Sequence, residues 1–306
     1  MKLQCFAIYL KSYILAAFNH FNPMARNILI APCGNHSFLF KDSWLKYTNE
    51  KQFDICLLFY HEHIEQPQLY EGVDFFYHLK HFKYHMIYEL LTALHPEWLQ
   101  QYDYFYFPDD DIEIDTRRIN TLFQLSHAHD TWISQASLTN DSLCSWPFFK
   151  TRKGSFCRYV GQIEVMAPLF NRESLKQCLP TFPLNKSSWG LDAVWPKILQ
   201  YPETKLVVFD MVNMKHSLRV GSGELYKIRG IEPYKDWEEI TSAYQAKKEN
   251  MVEYGSLQLV NQEHHRRQFR KEQLRNYIAR KKQAIRDYDL LSRIANKKIF
   301  SFLKPR

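Results

Sequence analysis

Asp109, Asp110 and Asp111 stand in a row directly after the aromatic run Tyr104–Phe107 and Pro108. A short apolar run bounded by turn signals is typical of a buried strand, and Pro108, which has no N–H group, should end it. The strand therefore delivers three carboxylates to the edge of the sheet where open α/β folds bind ligands. Because such close carboxylates repel one another, they favour a hard divalent cation between them. The alternative is a solvated acidic turn.

Strands and helices that alternate along the chain must position this turn. The predicted strands are Asn27–Ala31, Phe53–Tyr60, Tyr104–Phe107, Thr131–Ser137, Gln162–Ala167 and Lys205–Asp210. The predicted helices are Ser37–Tyr47, Tyr84–Leu94, Ser174–Leu179 and one within Ser187–Leu199. The β-α-β-α-β order of the first five predicts an α/β fold with parallel strands and crossover helices.

The composition excludes several classes of protein. With 45% hydrophobic and 24% charged residues, the chain of 306 residues is an ordinary globular sequence. Its nine glycines form no glycine-rich phosphate loop, which argues against a P-loop hydrolase or a nicotinamide dehydrogenase. The six cysteines are widely spread and form no C-x-x-C pair, so we expect reduced thiols in the cytoplasm.

Positive charge is concentrated in the last part of the chain. Residues 264–306 carry 14 Lys or Arg and three acids, whereas the whole chain has a net charge of only +7. The region before the tail is therefore acidic, and we expect no nucleic-acid binding overall. Basic residues beside Ile299–Leu303 suit peripheral contact with a membrane surface; a solvated helical hairpin is the alternative.

These features divide the chain into three predicted parts. Residues 1–23 form an N-terminal segment that is either loosely ordered and interfacial or not part of the native protein, because Met24 resembles a normal start. Residues 24–230 form the catalytic domain. Residues 231–306 form a helical basic extension, because they lack β-branched runs and are rich in Glu, Lys, Arg and Gln.

Several stretches together resemble the domain-of-unknown-function 707 family. They are His95–Trp98, Phe107–Asp111, Ile133–Gln135, Glu164–Phe170, Trp189–Asp192 and His216. That family looks like glycosyltransferases of the GT-A fold, which implies a Rossmann-like mixed sheet flanked by helices over roughly residues 25–220. The family usually has Asp-Glu-Asp where this chain has three aspartates, so both outer carboxylates are kept.

The resemblance implies a role for each aspartate. In GT-A enzymes an Asp-x-Asp pair binds Mn²⁺ or Mg²⁺, which grips the diphosphate of a nucleotide-sugar donor. Asp109 and Asp111 become the expected metal ligands, and Asp110 an expected contact to the ribose. His216 occupies a position like that of the histidine that completes many of these metal sites. The alternative for His216 is an ordinary surface or core histidine.

Three more residues are expected at the donor. Gly34 and Asn35 end the first predicted strand, where a GT-A fold receives the nucleotide base. Lys83 lies at the start of a predicted helix, from which it could reach a phosphate; a solvated lysine is the alternative.

The acceptor side is expected around Asp192, because an inverting transferase needs one carboxylate to take the proton of the attacking hydroxyl. Trp189 offers a stacking platform for a sugar ring, and Gly190 lets the backbone approach closely. Glu164 is the second candidate acid. The alternatives are structural, since Asp192 could cap the following helix and Glu164 could support a strand face.

Together these expectations describe a cytoplasmic, metal-dependent glycosyltransferase at the inner membrane face. It would use a nucleotide-sugar donor and a polysaccharide or lipid-linked acceptor, with inversion favoured because Asp192 is present as a base. Three rivals remain: a non-catalytic nucleotide- or carbohydrate-binding protein, a metal-dependent phosphohydrolase, and a protein whose basic tail binds nucleic acid.

Overall fold

The computed structural model describes residues 26–37, 39–218, 231–259 and 275. The chain divides into two units, Met1–Leu257 and Gln258–Arg306. The sheet and helices lie in the first unit, with the last residue of the final strand at the boundary. Segment 1–23 lies outside the described residues, as does the basic tail apart from Arg275, so the divisions at residues 23 and 230 stay predictions.

One mixed sheet contains the ten strands found in the described ranges. These are β1 (Asn27–Cys33), β2 (Asp54–Phe59), β3 (Phe75–His78), β4 (Tyr104–Tyr106), β5 (Ile112–Glu113), β6 (Ile133–Leu138), β7 (Ser155–Val160), β8 (Leu169–Asn171), β9 (Leu206–His216) and β10 (Glu253–Gln258). The order across the sheet is β10-β7-β9-β6-β8-β4-β1-β2-β3, and β5 pairs with β9 off this path.

Both strand orientations occur in this sheet. β1 runs parallel to β2 and β4, as the β-α-β-α-β order predicts. β2 also runs parallel to β3, a strand that was not predicted from the sequence. β6 is parallel to β9, whereas β8 is antiparallel to both β4 and β6. β4 and nearly all of β1 and β2 are buried, which explains their continuous apolar sequences.

The described residues form six α-helices. They are α1 (Lys83–Glu89, continued by a π-helical turn over Leu90–Leu94), α2 (Trp98–Gln101), α3 (Thr116–Ala128), α4 (Arg172–Cys178), α5 (Leu191–Ile198) and α6 (Pro233–Ala243). Asp115 starts α3 by accepting a 2.9 Å hydrogen bond from the backbone N–H of Arg118. Aromatic rings join α1 and α5 to the sheet, since Trp195 lies 5.7 Å from Tyr84 and 4.9 Å from Phe170 between ring centroids.

Three of the sequence predictions differ from the structure. Gln162–Ala167 is not a strand, because its backbone bonds to side chains and loops instead of to a neighbouring strand. Ser37–Tyr47 contains only a π-helical turn over Phe40–Trp44. The described part of the extension adds strand β10 to helix α6, although only helices were expected there. Within the described ranges no helix combines the length and apolar character needed to span a membrane.

Candidate active site

A cleft of about 970 Å³ opens where the acidic turn, the end of β9 and the start of α5 meet. Nine of the eleven predicted site residues line it: Lys83, Asp109, Asp110, Asp111, Glu164, Trp189, Gly190, Asp192 and His216. Gly34 and Asn35 are not among its lining residues. The fold therefore brings most of the candidate residues, which lie in five separate segments of the sequence, to one cavity.

Backbone hydrogen bonds fix the acidic turn against the end of β9. The N–H of Asp109 donates to the carbonyl of Met166 at 2.8 Å, and the N–H of Ile112 donates back to the carbonyl of Asp109 at 3.2 Å. The chain then enters β5, in which Ile112 pairs with His216 in an antiparallel register. This pairing places Asp111 beside the imidazole of His216.

Asp111 and His216 form an ion pair in the cleft. The Nε2–H of His216 donates to Oδ2 of Asp111 at 3.0 Å, and its Nδ1–H donates to the carbonyl of Leu143. Burial lowers the pKa of His216, but the Asp111 carboxylate and the Leu143 carbonyl outweigh it and raise the pKa to about 9. Oδ1 of Asp111 is buried and has no hydrogen-bond partner.

Lys83 does not extend into solvent. Its ammonium group contacts Oδ1 of Asp109 at 2.6 Å and donates to the carbonyls of Met166 at 2.9 Å and Val165 at 3.3 Å. Its side chain is only 8% exposed. Lys83 therefore links the acidic turn to the Gln162–Met166 segment and neutralises Asp109.

Asp110 is held by two hydroxyl groups. Ser37 and Tyr60 both donate to its Oδ2, the latter at 3.0 Å. Removal of the carboxyl group from water raises its pKa to about 6, against the opposing effect of the Ser37 hydrogen bond and with a further increase from Asp111 and Asp109.

Two of the three predicted metal ligands fit a divalent cation. The unpartnered Oδ1 of Asp111 is a free hard donor, and the Nδ1–H bond of His216 to a carbonyl leaves Nε2 as the ligand atom once deprotonated. Asp109 is instead paired with Lys83. No group of three or more His, Cys, Asp or Glu side chains in the described ranges is arranged to hold a metal. The pair resembles sites where substrate phosphates complete the coordination of Mg²⁺.

Asp192 faces the cleft from the first turn of α5, which begins after Gly190. Burial raises its pKa to about 6, although the Gln162 side chain and the backbone N–H groups of Ala193 and Val165 donate to the carboxylate. Gln162 is oriented for this contact because its Oε1 accepts from the N–H of Asn250 at 3.0 Å. Asp192 thus contacts the start of the helix and also lines the cleft. These positions are compatible with both the general-base and the helix-capping hypotheses.

Glu164 lies on the irregular segment that was expected to be a strand. Its backbone N–H donates to Oε1 of Gln135 at 2.8 Å, and its Oε2 is buried without a partner. Burial, and then the charge of Asp192, raise its pKa to about 8. At neutral pH the two acids therefore differ, because Asp192 is mostly ionised and Glu164 mostly protonated.

Aromatic side chains form the outer wall near Asp192. Trp189 packs edge-on against Tyr234 with 5.1 Å between ring centroids, and Trp237 lines the same wall. Gly190 has a φ of +88°, and a Cβ there would lie 2.7 Å from Ile240 and 3.0 Å from Trp237. The close approach that Gly190 permits is therefore the packing of α6.

Gly34 and Asn35 support the cleft from behind. A Cβ on Gly34 would lie 2.6 Å from the Tyr60 ring, and the N–H of Asn35 donates to Nδ1 of His61 at 2.9 Å. Tyr60 and His61 themselves line the cavity. The two predicted donor contacts thus position the residues that face the cleft.

Sequence patterns missed several lining residues. Tyr60 ends a strand correctly predicted as buried, so its position at a strand end was a usable signal. Gln162, Tyr234 and Trp237 gave none, since the first lies in a segment read as a strand and the others on a helix remote in sequence.

No family model matches the sequence, and no curated protein matches it. Among solved structures, the chain is similar to GalNAc-T7 with UDP, GalNAc and Mn²⁺, at a TM-score of 0.51 and 10% identity over 73% of this chain. It is also similar to S. aureus TarS in complex with UDP-GlcNAc, at a TM-score of 0.48 and 10% identity over 72% of this chain.

The match spans about half of GalNAc-T7, 49%, and 65% of the TarS chain. Each of these two structures holds a nucleotide or a nucleotide sugar. At this identity the likeness concerns the fold alone. The predicted α/β fold of the GT-A type is confirmed.

Proposed function

We propose that the protein is a metal-dependent glycosyltransferase that transfers a sugar from a nucleotide-sugar donor to a polysaccharide or glycolipid acceptor, with inversion. One observation carries the proposal. In a fold of the GT-A type, the Asp111–His216 pair and Asp192 line a single cleft. The pair suits a departing diphosphate, and Asp192 suits an attacking hydroxyl.

The donor wall consists of Asp109, Asp110, Asp111, Lys83 and His216. Asp111 and His216 would hold Mn²⁺ or Mg²⁺, while Lys83 keeps Asp109 fixed. A bound divalent cation would stabilise the negative charge that gathers on the leaving diphosphate. The imidazole favours Mn²⁺ somewhat over Mg²⁺.

The acceptor wall supplies the base. As the acceptor oxygen forms its bond to the anomeric carbon, the bond from that carbon to the diphosphate breaks and the hydroxyl proton passes to Asp192. An aspartate with a pKa of about 6 is ionised at neutral pH and basic enough to accept the proton. Trp189, Tyr234 and Trp237 provide aromatic faces for a saccharide.

Cellular location follows from the acceptor. We place the enzyme in the cytoplasm, in peripheral contact with the inner membrane face through the basic residues of 264–306, and expect no nucleic-acid partner. Vesicles containing anionic lipid should then bind the full chain more tightly than neutral vesicles do, with the difference lost at high salt.

A donor screen tests the proposed function. Nucleotide sugars including UDP-GlcNAc and UDP-GalNAc are each added with Mn²⁺, and thermal stabilisation and release of nucleoside diphosphate are measured. We expect one donor to stabilise the protein only when metal is present and to be turned over. Asp111→Asn should lose the stabilisation, whereas Asp192→Asn should keep it and lose turnover.

Other outcomes point to the rivals. Stabilisation without turnover by any acceptor or by water would indicate a non-catalytic binding protein. Phosphate release from simple phosphoesters without a sugar acceptor would indicate a phosphohydrolase. If no nucleotide sugar stabilises the protein with Mn²⁺ or Mg²⁺, the proposed function is wrong.

A further inference from the structure

Glu164 has an unusual setting among the acids of the cleft. Its side chain lines the cavity, the residue is 8% exposed, and Oε2 has no hydrogen-bond partner. The backbone on both sides is fixed, because Gln135 accepts from the N–H of Glu164 and both Lys83 and Tyr84 donate to the carbonyl of Val165. The backbone around Glu164 is therefore fixed beside the cavity, and its buried carboxyl oxygen Oε2 is left without a partner there.

Asp192 on α5 differs from Glu164 in its donors. Asp192 receives hydrogen bonds from an amide side chain and from backbone N–H groups, all of which favour its ionised form. Nothing in the described residues donates to Oε2 of Glu164. Two nearby carboxyl groups that line one cavity are most stable when the one that accepts more hydrogen bonds is ionised and the other keeps its proton.

Charged groups on the surrounding elements shift the pKa of Glu164 both upwards and downwards. Asp192 and Asp109 favour the protonated form of Glu164, and His216 at the end of β9 favours the ionised form. Cys144, in the loop before β7, also interacts with Glu164. The ammonium group of Lys83 contacts the neighbouring carbonyls, but it is already paired with Asp109.

We propose that Glu164 acts as a neutral hydrogen-bond donor that binds a hydroxyl oxygen of the saccharide in the cleft, while ionised Asp192 takes the proton of the attacking hydroxyl. This inference rests on the proposed glycosyltransferase function and assigns Glu164 to substrate recognition. A buried, unsatisfied carboxyl oxygen is satisfied only when a ligand oxygen meets its O–H group. Phosphate oxygens would instead be met at the donor wall, by the divalent cation that Asp111 and His216 would hold.

The Glu164→Gln variant distinguishes a neutral hydrogen-bond donor from a charged carboxylate. Glu164→Gln keeps a neutral donor of almost the same shape, whereas Glu164→Ala removes the donor and leaves a gap. We expect Glu164→Ala to lower kcat/KM for the active donor about 10–100-fold, and Glu164→Gln to lower it less than about fivefold. Loss of wild-type activity as pH rises through about 8 should be absent in Glu164→Gln.

An infrared difference spectrum tests the same point without substrate. The wild-type protein minus Glu164→Gln should show the C=O stretch of a protonated carboxyl group at pH 7, and the band should fade as pH rises through about 8. Absence of that band at pH 7 would overturn the inference and leave the proposed function untouched. Equal losses in Glu164→Gln and Glu164→Ala would also overturn it, since Glu164 would then act through its charge. Wild-type protein that turns over no nucleotide sugar would refute the proposed function and, with it, the role in saccharide recognition.

Discussion

The two walls of the cleft use the same chemical group in opposite ways. On the donor wall, Asp109 and Asp111 contact cations, Lys83 and His216. On the acceptor wall, Asp192 contacts only amide groups and Glu164 has an oxygen with no partner. At Asp109, burial raises the pKa and the paired Lys83 opposes that increase, whereas a carboxyl group buried without a cation is prepared to exchange or donate a proton.

The acceptor wall should show the largest response to a single change. Asp192→Asn removes the proposed base without changing its size, so we expect kcat to fall about 10²–10⁴-fold. Donor binding in the presence of Mn²⁺, measured by calorimetry, should stay within about threefold of wild type, since this change leaves a neutral amide in place. If Asp192→Asn kept the wild-type kcat, Asp192 would not be the base and the two walls would not differ in function.

The donor wall should respond in binding rather than in proton transfer. Asp111→Asn weakens a proposed metal ligand, so Mn²⁺-dependent affinity for the nucleoside diphosphate should fall roughly 10–100-fold. This affinity is measured by calorimetric titration of UDP with and without Mn²⁺. Asp141→Asn is the matched control, because Asp141 forms an exposed ion pair with Lys215 and does not line the cleft. Equal affinities for both variants would contradict a metal role for Asp111.

Helix packing supports the acceptor wall, and Gly190 tests that support. Gly190→Ala combines a left-handed backbone with contacts of 2.7 Å to Ile240 and 3.0 Å to Trp237, so we expect a loss of about 2–4 kcal/mol in the free energy of unfolding. Gly72→Ala is the control, with a φ of +90° but nothing within 4 Å of its Cβ, and should lose only about 1–2 kcal/mol. Equal losses in urea denaturation would mean that α6 does not press on this position.

The smallest expected effect is a change of stability with pH. The pKa of Glu164 in the folded protein, about 8, lies above its ordinary value of 4.5. The folded state therefore binds this proton more tightly, and the resulting stability is complete below about 4.5 and is lost as pH rises through about 8. Glu164→Gln has no such loss. Its Tm relative to wild type should rise by roughly 5 °C between pH 5 and pH 9; a constant difference would indicate that Glu164 is already ionised at pH 5.

Sequence patterns predicted the first half of the sheet well because its strands are continuous and apolar. Asn27–Ala31 and Tyr104–Phe107 match β1 and β4 closely. β7 was missed because Arg158 interrupts its apolar pattern, and only the structure shows that Asp210 pairs with this arginine in the core, at 2.9 Å. The helix α3 was missed because its buried face includes Thr116, Asn120 and Ser126.

The sequence predicted which residues belong to the site better than it predicted how they are arranged. Residue type and the family resemblance were enough to choose Asp111, His216 and Asp192, which line one cleft in the structure. The pairing of Lys83 with Asp109 was not readable, since it joins the start of a helix to a turn 26 residues away through a shared contact with Val165 and Met166. The role of Glu164 depends on its lack of a partner, which no local pattern reports.

The pairing of Ile112 with His216 has a consequence for how this site tolerates change. Main-chain pairing of β5 with β9 brings Asp111 next to His216, and the carbonyl of Leu143 also holds the His216 ring. Substitutions in the apolar core can therefore accumulate without altering the spacing of the two groups. An insertion or deletion of one residue in either strand would instead turn one of them to the opposite face. The site should therefore tolerate side-chain substitutions in the core but not insertions or deletions in β5 or β9.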